Sequence, residues 1–247
     1  MWDRRILKSN AKTALKDKYW LAFTVTLLSA VIAAGFGGIY TFISKLFSFF
    51  ANPFDYFHIL TSFDFVNNSL YFPDTLISIF VGLPITVGVA RFFVQNHFGV
   101  TEFETMFSGF KREYLNGIGA MFVTQLFVIL WGLLLIVPGI IKGIQYIMVP
   151  YIISDNPIMP GSRARQISRI MTEGEVGTIF VLLLSFIGWF ILGALCFGVG
   201  AYFVIPYYEA TKAELYIFLR DRVIQTKQVH PAEFGLVPPN DAEPQYE

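Results

Sequence analysis

The feature that most limits what this chain can become is a set of four long stretches without a charged residue. Trp20 to Ile43 runs 24 residues, Ile118 to Ile141 another 24, and Val176 to Tyr208 33. Thr75 to Ala90 adds 16 and resumes past Arg91 with Phe92, Phe93 and Val94. A helix of about 20 apolar residues crosses a hydrocarbon layer roughly 30 Å thick. A water-soluble domain has no use for four such runs. The composition agrees: 55% of the 247 residues are hydrophobic and 15% charged, against about 25% charged in soluble domains. Basic and acidic residues balance at 18 each, which leaves no charge excess to attract a nucleic acid.

The sequence therefore predicts an all-α fold, a polytopic membrane helical bundle of about six spans. These are expected at about 20–43, 74–96, 117–137, 139–154, 176–197 and 199–219, within a membrane domain covering 1–222. Pro138-Gly139 marks the turn between the third and fourth, and "GVG" at 198–200 that between the fifth and sixth, because Gly and Pro punctuate helices. The opening "MWDRRILKSNAKTALKDKYW" carries six basic residues before the first run and no small-residue cleavage site. It is expected to stay on the protein rather than be removed as a signal peptide. The polar, Pro-bearing tail 223–247 is expected to be disordered and cytoplasmic.

Basic residues near span ends set orientation. Sixteen of the 18 fall on one side of the expected topology, and only Lys45 and Lys142 on the other. Both termini are thereby placed in the cytoplasm.

The chain writes one hexapeptide nearly twice: "YIMVPY" at 146–151 and "YFVIPY" at 202–207, 56 residues apart. Upstream, "GAMFVTQLFVILW" (119–131) aligns with "GTIFVLLLSFIGW" (177–189) at an offset of 58. Each unit reads as an outgoing helix with Trp near its far end, a turn, and a returning helix with Pro-Tyr. The bundle is thus expected to consist of repeated helical hairpins. Spans one and two, with "GLPITVGVARFF", form a weaker third copy. Pro84, Pro150 and Pro206 are candidate helix kinks. Tyr146 and Tyr151, and Tyr202 and Tyr207, come at i and i+5 on different faces, one of each pair expected at the membrane interface and the other in a helix contact, with interface anchoring as their main role.

Three cytoplasmic segments have amphipathic spacing and are expected to lie on the inner leaflet. The first has Trp2, Ile6, Leu7, Ala11, Ala14 and Leu15 on one face, with Arg5, Lys8, Lys12 and Lys16 elsewhere. The second, "TEFETMFSGFKREY" (101–114), aligns Phe103, Phe107, Phe110 and Tyr114, with Thr101 and Glu104 as a capping box. The third, 160–171, sets Ile167, Ile170 and Met171 against arginines. Arg4, Arg5, Lys8, Lys12, Arg163, Arg165 and Arg169 are the candidate contacts to anionic lipid. On the outer side, 44–73 is rich in aromatics and is expected to lie in the interface or cap the bundle.

Chemistry-bearing motifs are scarce. His58, His97 and His230 have no ligand-spaced partner, and the single Cys196 excludes an intramolecular disulfide. No phosphate loop, nucleophile elbow or HExxH occurs. No enzyme activity, metal or cofactor is expected. The candidate functional polar cluster is Asp155 and Asn156 at the end of span four with Glu209 and Lys212 on span six. Ionisable groups at membrane depth are functional candidates. The plainer alternative makes Glu209–Lys212 an ordinary i,i+3 pair and Asp155-Asn156 a helix stop and N-cap.

"VPYIISDNP" (149–157), "SRIM" (168–171), "LSFIGW" (184–189) and "PYYEATKAELY" (206–216) resemble the bacterial integral-membrane family known as domain of unknown function 975. "LKSNAKTALKDKYW" (7–20) is similar to that family's opening segment. After Met171 the family is usually basic, whereas this chain has "TEGEVG". The family is distantly similar in layout to the membrane domain of some glycerophosphodiester phosphodiesterases. The resemblance implies a multi-pass plasma-membrane protein. The leading expectation is a non-enzymatic bundle that organises or senses the membrane or modulates a protein partner. The alternative is a small transporter or lipid-handling protein with a site between the hairpins. In a chain whose Cys196 is replaced, a cysteine placed near Gly139 should react with a membrane-impermeant maleimide only from outside. Labelling from the cytoplasm would remove the fourth crossing.

Overall fold

The computed structural model describes residues 2–33, 78–111, 113–195 and 199–236. The outer aromatic segment 44–73, the end of the first expected span and the last part of the tail, 237–247, lie outside the described residues. Among the described residues every regular element is helical. They are α1 (Arg4–Leu15), α2 (Tyr19–Ala33), α3 (Leu83–His97) entered through a π-helical turn at Ser78–Gly82, and a 3-10 helix at Phe103–Phe110. Then come α4 (Tyr114–Leu134), α5 (Ile136–Gln145), α6 (Val149–Asp155), α7 (Gly161–Thr172), α8 (Val176–Leu195), α9 (Val199–Gln225) and a short 3-10 helix at Pro231–Phe234.

Four helical stretches are long and apolar enough to cross a membrane: Ile79–His97, Tyr114–Leu134, Ile136–Asp155 and Val176–Gly193. The shorter α2 is also apolar. Burial separates two kinds of helix. The packed centre is built from α3, α6 and α9, where Phe92, Phe93, Tyr151, Ile152, Tyr216 and Leu219 are fully enclosed. By contrast α4, α5 and α8 turn large apolar side chains outward, with Leu133 79%, Ile136 77% and Leu192 57% exposed. A contiguous outer wall of this kind belongs against a membrane or a partner.

Local rules explain several departures from the expected elements. The turn before α5 falls at Leu135, which is extended (φ −155, ψ 134), and not at Pro138-Gly139. Pro138 sits inside the first turn of α5, where a missing N–H costs no helical bond. Gly139 instead lets α5 approach α4 closely, because a Cβ there would meet the backbone of Gly132. The fourth expected span, 139–154, is broken at residues 146–148, so that α5 and α6 are separate helices. The twin hexapeptides thus take two backbone forms. "YIMVPY" straddles the break with Pro150 in the first turn of α6, while "YFVIPY" lies within continuous α9 with Pro206 inside it. Pro84 also occupies a first turn, that of α3. Of the three candidate kinks, Pro150 follows the break at 146–148, Pro84 stands just past the π-helical turn within the continuous stretch Ile79–His97, and Pro206 lies inside α9.

The segment 101–114 is a 3-10 helix followed by the start of α4, and its N-cap is Glu102 without a side-chain bond. The expected capping box does not form; the Thr101 hydroxyl donates to Asn96 Oδ1 at 3.1 Å instead. The aromatic face is present as a ladder, with ring centroids 6.1 Å (Phe103–Phe107), 6.5 Å (Phe107–Phe110) and 5.8 Å (Phe110–Tyr114) apart. What holds this helix against α3 is a pair of reciprocal glycine contacts. A Cβ at Gly88 would fall on the Met106 carbonyl, and one at Gly109 on the Pro84 carbonyl.

The tail also departs from expectation. Far from being disordered from 223, the chain stays helical to Gln225 and turns back through the 3-10 helix at Pro231–Phe234. Val229 and Phe234 are buried in the core. An apolar pair set in an otherwise polar stretch supplies the anchor that composition alone conceals.

Gly88→Ala should destabilise the fold by roughly 1–3 kcal/mol, because the backbone it meets cannot yield as a side chain would. Gly119→Ala, with open space around it, should instead add about 0.5–1 kcal/mol of helix propensity. Equilibrium unfolding in detergent measures both, and equal effects would contradict the packing of α3 on the 3-10 helix.

Candidate functional site

The four predicted polar residues do not form one cluster. They divide between two groups on α6 and α9, joined by a pair of tyrosines. Asp155, the last residue of α6, accepts from Tyr216 Oη at 2.6 Å and from Arg220 Nη1 at 3.2 Å, both from α9. Tyr216 and Arg220 are four residues apart, so they share a helix face. Arg220 also meets Asp221 through Nε at 3.2 Å. A buried carboxylate needs such partners, because leaving it alone costs several kcal/mol. Asp155 therefore acts as a latch between two helices.

Glu209 and Lys212 pair with each other at 2.8 Å, with both side chains mostly buried. The Lys212 ammonium stands 4.7 Å from the Tyr208 ring centroid, and Tyr151 Oη reaches Glu209 Oε2 at 3.5 Å. Tyr151 and Tyr216 stack with centroids 5.1 Å apart and planes at 22°, which places the two polar groups end to end. So Tyr151, the second tyrosine of the first hexapeptide, is the member of its pair that makes a helix contact, fully buried in the core.

Asn156 is turned elsewhere. It is the C-cap of α6, its Oδ1 accepts from Ile158 N at 3.3 Å, and its Nδ2 donates to the Glu233 carbonyl at 3.1 Å. The following helix, α7, is capped by Pro160 with no side-chain bond. The expected N-cap role is therefore not taken up; Asn156 stops one helix and ties down the tail.

A cavity of about 180 Å³ lies where α2, α3, α6 and α9 meet. Its polar lining is Thr26, Ser29, Thr86, Tyr151, Glu209 and Lys212. One ion pair lines it together with hydroxyls that donate to nearby carbonyls of their own segments, Thr26 to Ala22, Ser29 to Thr26 and Thr86 to Gly82, and Ala, Val, Ile and Pro bound the rest. That is the composition of a ligand site, apolar walls with a few placed polar groups. Sequence reasoning found Glu209 and Lys212 through their depth in an apolar run. It missed Thr26, Ser29 and Thr86, which were hidden inside uncharged stretches.

A further pair escaped the sequence entirely. His97 at the end of α3 meets Glu214 of α9 at 2.6 Å through Nδ1, and Glu214 is 4% exposed. The partners are 117 residues apart, so no local spacing could reveal them. Among the described residues no group of three metal-ligating side chains occurs.

The candidate lipid contacts are sorted by what they touch. Lys8 donates to Ser185 Oγ at 2.7 Å and lies 4.3 Å from the Phe186 centroid. Its burial, then the neighbouring Arg4 and Lys12, pull it below the ordinary lysine value. Lys12 stands over Tyr207 at 5.6 Å. Helix α1 is thus docked on α8 and α9 by its cations as well as by buried Leu7, Ala11 and Leu15. Arg4 and Arg5 remain exposed. Arg163 makes a two-pronged bond to Glu233, 2.6 Å through Nε and 2.8 Å through Nη2, which fastens the tail to α7. Arg165 lies over Phe127 at 5.4 Å, and Arg169 is exposed near Lys142. The charge rule had placed Lys142 and Arg169 on opposite sides of the membrane. Packing of α7 into the crook of α4 and α5, with Ser168 Oγ 2.6 Å from the Gln145 carbonyl, brings them together.

A family model described as protein of unknown function (DUF975) matches residues 70–223. No curated protein and no solved structure matches the chain. The expected likeness to the membrane domain of glycerophosphodiester phosphodiesterases gains no support from these comparisons.

Arg163 holds the Glu233 carboxyl below the usual range, chiefly through its hydrogen bond. A depressed carboxylate adds stability that is fully present above its unfolded value of about 4.3 and lost as pH falls through the folded value. The protection factors of the amides at 229–234, taken relative to intrinsic exchange at each pH, should therefore be high at neutral pH and fall in acid below about pH 4. Glu233→Gln should show low protection at both. Protection unchanged in acid would show that the clasp does not hold the tail.

Proposed function

The chain belongs to the DUF975 family, and from that premise we propose a non-enzymatic integral protein of the bacterial plasma membrane that holds a small polar ligand or lipid headgroup between its helices. Six spans with both termini cytoplasmic are the proposed topology, in which α7 reaches from the cytoplasmic side to the depth of Gln145 and Lys142. Four apolar helices of spanning length support it, as do the uncharged sequence run from Trp20 to Ile43 and the ten uncharged residues that open α9. The paired hairpins α4–α5 and α8–α9 support the repeat. Each closes by a glycine approach, Gly139 on Gly132 and Gly193 on Gly200 and Ala201.

Two functions followed from the sequence: organising or sensing the membrane, and handling a ligand in a site between hairpins. The cavity carried by Glu209 and Lys212 favours the second. A volume of about 180 Å³ suits a group of a few heavy atoms. The adjacent opposite charges of Glu209 and Lys212 suit a zwitterionic or strongly dipolar one. The buried carboxylates have structural partners, Asp155 with Tyr216 and Arg220, Glu209 with Lys212 and Glu214 with His97, which supports a binding role over acid–base catalysis.

Native mass spectrometry of the protein taken from its own membrane tests the reading. Wild type should release a bound small molecule or lipid, and Ala30→Leu, which fills the cavity, should lose it with its melting temperature kept. Identical spectra for the two proteins would return the account to a bundle that only organises the membrane or modulates a partner.

A further inference from the structure

Four cations packed between these helices have a carboxylate: Arg163 has Glu233, Lys212 has Glu209, Arg220 has Asp155 and Arg222 has Glu175. Lys8 and Lys12 of α1 are instead taken up by Ser185 and the Phe186 and Tyr207 rings. Three cations of α5 and α7 have neither a carboxylate nor a docked helix as their main partner. Lys142 donates to Gln145 Oε1 at 3.0 Å and stands 5.6 Å from the Trp131 centroid and 5.9 Å from that of Tyr146. Arg165 lies over Phe127 at 5.4 Å with Nη1 3.5 Å from Thr124 Oγ1. Arg169 is exposed one helical turn further along α7, next to Ser168, whose Oγ donates to the Gln145 carbonyl of α5 at 2.6 Å and so holds this part of α7 beside Lys142. Among the described residues no carboxylate pairs with any of the three.

We propose that Lys142, Arg165 and Arg169 bind the headgroup phosphate of an anionic phospholipid, whose acyl chains lie along the outer face of α4 and α5. Like charges brought together from two helices repel, and the fold supplies no anion among its described residues to offset them. The missing charge must come from outside. The adjoining surface says what carries it. Phe127, beneath Arg165, is 41% exposed, and Leu130 and Ile141 on the same two helices are 52% and 39% exposed; a free anion would leave this wall uncovered. An anionic head with an apolar body matches both parts of the surface. Two guanidinium forks suit phosphate oxygens, and the ammonium adds a point charge. The aromatic rings beneath Lys142 and Arg165 hold those side chains in place.

The site is separate from the cavity of α2, α3, α6 and α9, and does not depend on it. It also differs from the basic N-terminal helix, whose Lys8 and Lys12 are occupied by α8 and α9.

The test uses the full chain in nanodiscs of equal parts phosphatidylcholine and phosphatidylglycerol, with retained lipids counted by native mass spectrometry. Wild type should keep phosphatidylglycerol in preference to phosphatidylcholine. The Lys142→Gln, Arg165→Gln, Arg169→Gln triple variant should retain it on the order of a hundredfold less, at about a kcal/mol per basic residue. Lys142→Arg should keep it. Should the triple variant fail to fold, Arg169→Gln alone, on an exposed side chain, should still show a severalfold loss. Ala30→Leu should leave the excess of phosphatidylglycerol over the triple variant unchanged, so the cavity reading and this one fail independently. Equal retention by wild type and variants would overturn the proposal. So would displacement of the lipid by inorganic phosphate alone, or a co-purifying acidic protein in place of the lipid.

Discussion

Asp155 has to be satisfied by another helix, and much of the described structure depends on how that is done. The residue ends a helix of seven residues, too short to persist unaided, and its carboxylate lies among packed side chains. Tyr216 and Arg220 reach it from α9, and removing one partner of such a buried pair costs about 3–5 kcal/mol. The latch fixes α6 beside α9, and that placement stacks Tyr151 on Tyr216. Tyr151 in turn is what brings a hydroxyl to Glu209 and closes one wall of the cavity. Just beyond the latch, Asn156 and Arg163 hold the returning tail through Glu233. A single buried charge thus orders the site on one side and the tail on the other.

The all-helical class and the apolar helices were plain in the sequence, because uncharged runs of spanning length have no soluble counterpart. Polar depth also pointed to Glu209 and Lys212. The rest was hidden for identifiable reasons. The likeness of "YIMVPY" to "YFVIPY" says nothing about backbone continuity: Pro150 begins a helix and Pro206 sits inside one, a difference set by what packs around each. Proline's fixed φ and missing N–H are compatible with both. The partners of Asp155 and His97 are 61 to 117 residues away, beyond any local pattern. Amphipathic spacing marked Trp2, Leu7, Ala11 and Leu15 of α1, which are buried, but also Ile6, which is exposed, and it could not tell a leaflet from a neighbouring helix as the surface that face covers. The ordered tail was missed because two apolar anchors, Val229 and Phe234, are too few to shift a compositional judgement.

The basic residues divide by partner more than by membrane side. Those facing carboxylates or helix faces, such as Arg163, Lys8 and Arg220, are parts of the fold's own assembly. Lys142, Arg165 and Arg169 face an apolar outer wall, and their unbalanced charge implies an exchange with the surroundings. A count of positive charges treats the two groups alike. Their local dielectric and neighbours do not, which explains how Lys142 can stand beside Arg169 against the side assigned by the charge rule.

The central claim is that the space between α2, α3, α6 and α9 is built to be occupied. An experimental structure of the full chain in a native-lipid nanodisc addresses it directly. The account predicts density for a non-protein group contacting Glu209 and Lys212, with the Asp155–Tyr216–Arg220 latch closed beside it. Side chains collapsed into the space, or only ordered water within it, would contradict the claim.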